Sequence, residues 1–504
     1  MNACHNGTRM SYKIMPKLLI TLISGCISLF IAIASSSLPA VADDLLLPEL
    51  GSASGGIMTP AQEKRLGQAF MRSVKASQKI IDEAFARTYI EQLGHKLSRA
   101  TDQDTLSDFD FFIIDNPQIN AFAGPGGHIG VYSGLILTSQ SESELAAVVA
   151  HEIAHVTQKH LMRTFHQASQ MSLPSAAVLL ASVILGAAAG GEAGVAAAMA
   201  GQAALIQNQI NFTRANEKEA DRVGISTLAN AEFDPHAMPT FFERMGRANR
   251  TYSSELPEFL RTHPVTTNRI ADSVDRADQH PYQQHEDSLH YFLVKALIRQ
   301  RAFANPKEAE KYFSTNLKEG RHRNAAGQRF GLALSLIAQN RYQDAGEQIK
   351  TLLKSHPTEP VFMIYDSRID AASGNLKRAI KNLENSLLLY AANYPLNLQL
   401  AELYIQARDY SKAISLLKDT TVLRPFDDTV YKRLAEAYGQ NQQLVEAHNA
   451  QSDYLYLNGQ LEPAIQQLEI ALRQDNVDFY LASKLEAKLA ALKNELAIIE
   501  ANKK

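Results

Sequence analysis

The sequence predicts two architectures in one chain: an α+β domain, mostly helical with a small sheet, followed by an all-α solenoid of paired helices. Three observations predict them. Small residues recur every 34 positions from about residue 333 onward, short alternating apolar runs interrupt an otherwise helical periodicity near residues 109–114 and 128–137, and two histidines stand four apart on a helical stretch.

Length and composition permit this plan. A chain of 504 residues has room for roughly two to four domains, each with its own core. With 45% hydrophobic and 20% charged residues, it is neither largely disordered nor an all-membrane protein. Fifty Lys and Arg against 53 Asp and Glu leave a net charge of -3, which excludes the basic excess that a nucleic acid partner demands.

The first 42 residues read as a leader. Lys13 and Lys17 precede an apolar run over 18–34, and Ala40, Val41 and Ala42 supply a small-x-small cleavage pattern. Cleavage is expected after Ala42, with Met10 or Met15 as alternative starts; an uncleaved anchor and a lipoprotein box ending at Cys26 are the competing readings. Both cysteines, Cys4 and Cys26, fall in this stretch. The exported chain is then cysteine-free, and any metal must be held by His and carboxylates.

Residues 43–58 form a linker and 59–277 the first domain. Thr59, Pro60 and Gln62 are a capping residue, a first-turn proline and a capping-box partner, announcing helical periodicity that runs to about Leu97. Residues 109–114 and 128–137 read as strands, separated by the turn residues Gly124, Pro125, Gly126 and Gly127. From Ser143 the period is helical, with Leu145, Val148, Val149, Glu152 and Val156 on one side. The stretch 175–206 is rich in Ala, Gly, Val and Leu, with Glu192 its only charge. A buried or mobile helical hairpin broken at Gly190 and Gly191 is expected there, with peripheral membrane contact as the alternative. A further helix covers 208–230.

The polar stretch 278–288, with Pro281, is the expected linker to the second domain, 289–504. His280, His285 and His290 around it are spaced by five, which suits neither a helix nor a strand face, so no metal site is expected. Beyond it Ala345, Ala379, Ala413 and Ala447 recur at 34, each preceded by Tyr342, Leu376, Tyr410 or Leu444, with Ala333, Ser367, Ala401 and Ala435 twelve residues upstream. Small residues where paired helices touch, at this period, are the tetratricopeptide pattern. It implies a concave surface that binds a peptide or protein. Residues 459–504 are expected to cap the array.

His151, Glu152, Ile153, Ala154 and His155 form HEIAH. Four residues apart on a helix, the imidazoles converge on one ion, with Glu152 within reach of water beside it. A metzincin arrangement fails, because Gln158 and Leu161 stand where Gly and His are required. The third ligand is sought downstream, where Glu217 and Asp221 share a helix face: Glu217 to ligate, Asp221 to accept a hydrogen bond from a ligand histidine. This is a gluzincin-like set. Glu219 is the alternative ligand, otherwise pairing with Arg222, and His160 is expected to be solvated. Small Ala220 and Gly224 let the two helices approach closely.

HEIAH, the E-x-x-x-D of Glu217 to Asp221, the Asn120, Ala121, Phe122 stretch before Gly126 and Gly127, and Thr262, His263, Pro264 with Arg269 resemble the HtpX and CAAX-prenyl-protease group of zinc peptidases. With a leader ahead and repeats behind, the mature chain resembles the periplasmic, repeat-bearing members of that group. The resemblance implies one Zn2+ per subunit at His151, His155 and Glu217, Glu152 as catalytic base and Asp221 as a catalytic acid. It also implies unfolded or stalled outer-membrane barrel proteins as substrates and the barrel assembly machinery as partner. His263 has three candidate roles: a turn residue, an oxyanion donor, or a fourth zinc ligand that keeps the enzyme latent. The strand over 128–137 is a candidate edge for an extended substrate. A periplasmic zinc endopeptidase in barrel-protein quality control is therefore expected, the rival being a chaperone or assembly scaffold in which hydrolysis is secondary.

Overall fold

The computed structural model describes residues 59–101, 109–161, 173–184, 214–251, 258–474 and 477–501. The expected leader, the 43–58 linker and most of the 175–206 stretch lie outside the described residues.

Helix α1 (Pro60–Ser77) opens with the capping box: the Gln62 N–H donates to Thr59 Oγ1 at 3.3 Å and the Thr59 N–H to Gln62 Oε1 at 2.8 Å. One helix to Leu97 is not what forms. The chain leaves α1 at Gln78, runs extended, and restarts as α2 (Ala84–Arg99). Extended backbone is satisfied there by the neighbouring strand, since the Ile81 N–H donates to the Ile113 carbonyl at 2.9 Å and the Asp115 N–H to the Lys79 carbonyl at 2.7 Å.

The sheet has three strands, β1 (Asp110–Ile114), β2 (Ala121–Ala123) and β3 (His128–Tyr132), in the order β1-β3-β2. β3 runs parallel to β1 and antiparallel to β2. Gly126 and Gly127, at φ 72° and 79°, make the left-handed turn of the β2–β3 hairpin. Two expectations are corrected here. Residues 133–137 are not extended but lie in helix α3 (Ser133–Thr138), because the Gly134 N–H and the Ser133 hydroxyl both donate to the Asn116 carbonyl and end the strand. β3 is the central strand, so it offers no free edge; β1 and β2 are the outer strands, and Ile80 bridges Ile114 of β1.

Helix α4 (Glu142–Thr157), capped by Ser141, is buried at every residue from Glu142 to His155. It is the central rod of the domain rather than a helix with one apolar side. Packed on it are α6 (Arg214–Asn230) and α7 (Ala237–Thr251), with α5 (Leu173–Ile184) before them in the chain and α8 (Glu258–Thr262) and α9 (Thr267–Ala277) after. In α5, Ala176, Leu180, Ala181 and Ile184 are buried in a cluster shared with α1. Among the described residues no helix is long and apolar enough to cross a membrane.

Residues 281–288 carry no helix and are tied to the start of α4: Glu142 accepts from the Ser288 N–H at 2.6 Å and the Ser288 hydroxyl at 2.8 Å. The solenoid follows as pairs: α10 (Leu289–Arg301) with α11 (Pro306–Glu319), α12 (Ala325–Ile337) with α13 (Tyr342–Ser355), α14 (Pro360–Ala372) with α15 (Leu376–Leu389), α16 (Tyr394–Gln406) with α17 (Tyr410–Leu423), and α18 (Asp428–Gln440) with α19 (Leu444–Leu457). α20 (Leu461–Leu472) and α21 (Phe479–Ala501) close it. Ala345, Ala379 and Ala413 have no exposed surface, as close packing of paired helices requires. The turn within each unit repeats too: Asn340, Gly374, Arg408 and Gln442 are all left-handed. The N–H after each returns to the last turn of the first helix, Asp409 to Tyr404 at 2.9 Å and Gln443 to Tyr438 at 3.0 Å, a Schellman closure.

α2 packs against the first helices of the repeats, with Phe85 edge-on to Phe330 of α12 and Tyr365 of α14 at 5.8 and 6.2 Å. Ion pairs flank the contact: Arg87 with Asp427 at 3.0 Å, Glu91 with Arg424 at 2.6 Å and Glu83 with Arg368 at 3.0 Å. Sheet, α2, α4 and solenoid share one hydrophobic core.

Candidate metal and catalytic site

The site forms where α4 crosses α6. That crossing is close because Gly224 has no side chain: a Cβ there would stand 3.2 Å from the His151 backbone nitrogen and 2.8 Å from Met238 Cε. Ala220 beside it is fully buried. Helical spacing then stacks His151 above His155, their Nε2 atoms 3.0 Å apart.

Glu217 faces both from α6, with Oε2 3.5 Å from His151 Nε2 and Oε1 3.5 Å from His155 Nε2. His263, after the short helix α8, brings Nδ1 to 3.3 Å from His151 Nε2 and 3.1 Å from Glu217 Oε1. One ligand atom from each of these four residues lies within 4.8 Å of the others, and all four residues are buried. Donors on a tetrahedron around an ion at zinc–nitrogen distance stand about 3.3 Å apart. Five of the six separations, taken to either oxygen of Glu217, are 3.0 to 3.5 Å, close to that value. Three imidazole nitrogens and a carboxylate so grouped are a donor set that suits a divalent metal.

Glu152 sits beside this cluster, 1% exposed; its Oε1 is 3.5 Å from His263 Nε2 and makes no hydrogen bond. Burial pushes its carboxyl above the ordinary range, although His263, His151 and the Ala123 N–H on β2 oppose this. A buried carboxyl with one free oxygen is poised to take a proton. β2, an outer strand of the sheet, thus reaches Glu152 through the Ala123 N–H.

Behind the ligands lies a support. His151 Nδ1 is 3.0 Å from Asp221 Oδ1, at an angle short of a straight hydrogen bond. Arg269 grips the same carboxylate with two bonds of 2.8 Å, and its Nη1 reaches Glu217 Oε2 at 2.7 Å and the Pro264 carbonyl at 2.9 Å. Burial disfavours a charged His151, but Asp221 and Glu217 push it up to about 10. Burial likewise opposes the ionised Asp221, and His151 with Arg269 holds it below the usual carboxylate range.

The structure brings together His151, Glu152, His155, Glu217, Asp221 and His263. His263 is no solvent-facing turn: it is 2% exposed and stacked on Phe259 at 5.1 Å. Glu219 stays outside the cluster and pairs with His160 at 3.1 Å rather than with Arg222. His160 has no exposed surface, which corrects its placement in solvent. Arg269 was visible in the sequence only as part of a motif, without its role as the buried cation beneath two carboxylates.

Residues 85–277 match the model of peptidase family M48, and residues 370–438 match a tetratricopeptide repeat model. The chain is 36% identical over 441 residues to a putative beta-barrel assembly-enhancing protease of Vibrio cholerae, covering 87% of this chain and 90% of the relative. It is 33% identical to the beta-barrel assembly-enhancing protease of Escherichia coli strain K12, covering 90% and 93%. The mitochondrial metalloendopeptidase OMA1 of Schizosaccharomyces pombe is 33% identical over 162 residues, 32% of this chain and 44% of that one.

Proposed function

The chain belongs to the beta-barrel assembly-enhancing proteases, metalloendopeptidases of the M48 type, and on that premise we propose a zinc endopeptidase of the periplasm that degrades stalled or misfolded outer-membrane barrel proteins. The observation that carries this reading is the convergence of four buried donor atoms beside the unpartnered Oε1 of Glu152. The leader pattern and the absence of cysteine after it support export. The solenoid supports recruitment of substrate or of the assembly machinery through surfaces that α2 leaves open.

His151, His155 and Glu217 would hold one Zn2+, which supplies Lewis acidity to acidify water and polarise a carbonyl. The remaining chemistry is the chain's own. Glu152 Oε1 takes the proton of the attacking water and returns it to the leaving nitrogen. β2 receives the substrate as an added strand, which places an extended segment against the base. Asp221, held ionised by Arg269 on the far side of His151, orients that imidazole; its location supports a positioning role rather than proton donation to substrate.

His263 would supply a fourth ligand and keep the site closed, since its Nδ1 lies 3.3 Å from His151 Nε2 while its Nε2 faces Glu152 at 3.5 Å. Latency suits an enzyme that shares its compartment with unfolded barrels. His263→Ala should digest an unfolded protein faster than wild type; a collapse of activity would assign it the oxyanion role instead. For the substrate reading, Glu152→Gln recovered from cells should carry uncut barrel proteins. Recovery with no enrichment of barrel proteins overturns that reading.

A further inference from the structure

The second ligand histidine has a support of its own, built by the end of α4. The helix stops at Thr157, and Lys159 takes a left-handed conformation at φ 54°, which turns the chain back on itself. That turn swings His160 under His155, with Nδ1 2.8 Å from His155 Nδ1 and the ring fully buried. The other nitrogen, His160 Nε2, meets Glu219 Oε2 at 3.1 Å, and the Glu219 side chain is 32% exposed.

The hydrogens in this row are fixed by chemistry. A histidine that ligates through Nε2 carries its proton on Nδ1 and donates from there. His160 Nδ1 must then accept, so His160 is the Nε2–H tautomer and donates to Glu219, which as a carboxylate only accepts. The assignment is consistent from His155 through His160 to Glu219, an acid near the surface.

We propose that His160 and Glu219 form a positioning dyad that sets the tautomer and ring orientation of His155, as Asp221 and Arg269 do for His151. This rests on His155 being a metal ligand. Each imidazole is then braced from a separate direction: one from α6 by a carboxylate and an arginine, the other from the helix end by a neutral imidazole backed by a carboxylate. A neutral brace adds no charge next to the metal, whereas a carboxylate directly on His155 would place another anion beside Glu217.

The test measures zinc affinity of the full chain by competition with a chromogenic chelator, together with the visible d–d spectrum of the cobalt-substituted protein. His160→Leu removes the acceptor and should weaken zinc binding by roughly 10- to 100-fold, with a shifted cobalt spectrum. His160→Asn restores an acceptor, since its Oδ1 occupies the place of Nδ1 on the side chain, and should recover affinity and spectrum. Glu219→Ala, at the exposed end, should weaken zinc in the same direction by less. The inference is overturned if His160→Leu binds zinc as wild type does with an unchanged spectrum, or if His160→Asn loses zinc as fully as His160→Leu. His155→Ala separates the premise: if that variant keeps full zinc, the ligand assignment fails; if it loses zinc while His160→Leu does not, only the dyad fails.

Discussion

Arg269 is the residue whose loss should be felt most widely. Its side chain is 4% exposed, lies over the Phe242 ring at 4.9 Å, and bonds to Asp221 twice, to Glu217 and to the Pro264 carbonyl. With a divalent ion bound, Glu152, Glu217, Asp221 and Arg269 sum with it to zero. Arg269→Met keeps much of the volume but leaves one negative charge uncompensated in the core. Breaking a buried pair in this way costs about 3–5 kcal/mol, and Arg269→Lys, which keeps charge but not the fork, about 1–3 kcal/mol. The effect has a pH signature. A carboxyl held low by its partners, like Asp221, contributes stability above its unfolded pKa of about 4 and loses it as pH falls through the lower folded value. The gap between wild type and Arg269→Met should therefore be full at pH 7 and shrink below about pH 4. Urea unfolding of the two metal-free proteins across that range measures it, since acid strips a bound ion from its histidines. A gap under about 1 kcal/mol at pH 7, or one that does not change with pH, would refute the view of Arg269 as the site's charge balance.

Three further outcomes follow from single contacts. Gly224→Ala forces α4 and α6 apart by a few tenths of an ångström against the His151 backbone, and should cost about 1–3 kcal/mol together with zinc affinity, measured by denaturation and chelator competition. Arg408→Gly relieves a left-handed residue in an exposed turn and should raise the unfolding free energy by about 0.5–1 kcal/mol, read as a higher denaturation midpoint, whereas Gly374→Ala should lower it. His290 is raised by its hydrogen bond to Glu359, with burial opposing. Its contribution is present below its unfolded pKa near 6.5 and fades as pH rises through the higher folded value. The half-exposed pair limits it to under about 1 kcal/mol, so His290→Gln should cost more at pH 6 than at pH 9.

What was legible in the sequence was local. HEIAH and the E-x-x-x-D pair each lie within one helix, so spacing alone puts their side chains on one face. The 34-residue period is written in small residues at each helix contact, and Gly224 announced a close crossing. What escaped depends on chain reversals and distant packing. His160 reads as a surface residue until the left-handed turn at Lys159 is known. β2 is Ala121, Phe122 and Ala123, too short to show alternation. Residues 78–83 look helical in the periodicity and are extended only because β1 offers them partners. That α2 packs against the repeats depends on Phe85 meeting Phe330 and Tyr365 across some 250 positions of sequence, which no local pattern encodes.

Zinc content and casein digestion by wild type and Glu152→Gln, each with and without a chelator, test the central claim most directly. One zinc per chain is expected in both proteins, because Glu152 stands beside the ligand set and outside it. Wild type should digest casein and stop when zinc is removed, and Glu152→Gln should be slower by roughly 100- to 10,000-fold while keeping its metal. Equal cleavage by the two proteins, or cleavage that survives removal of the metal, would contradict the account.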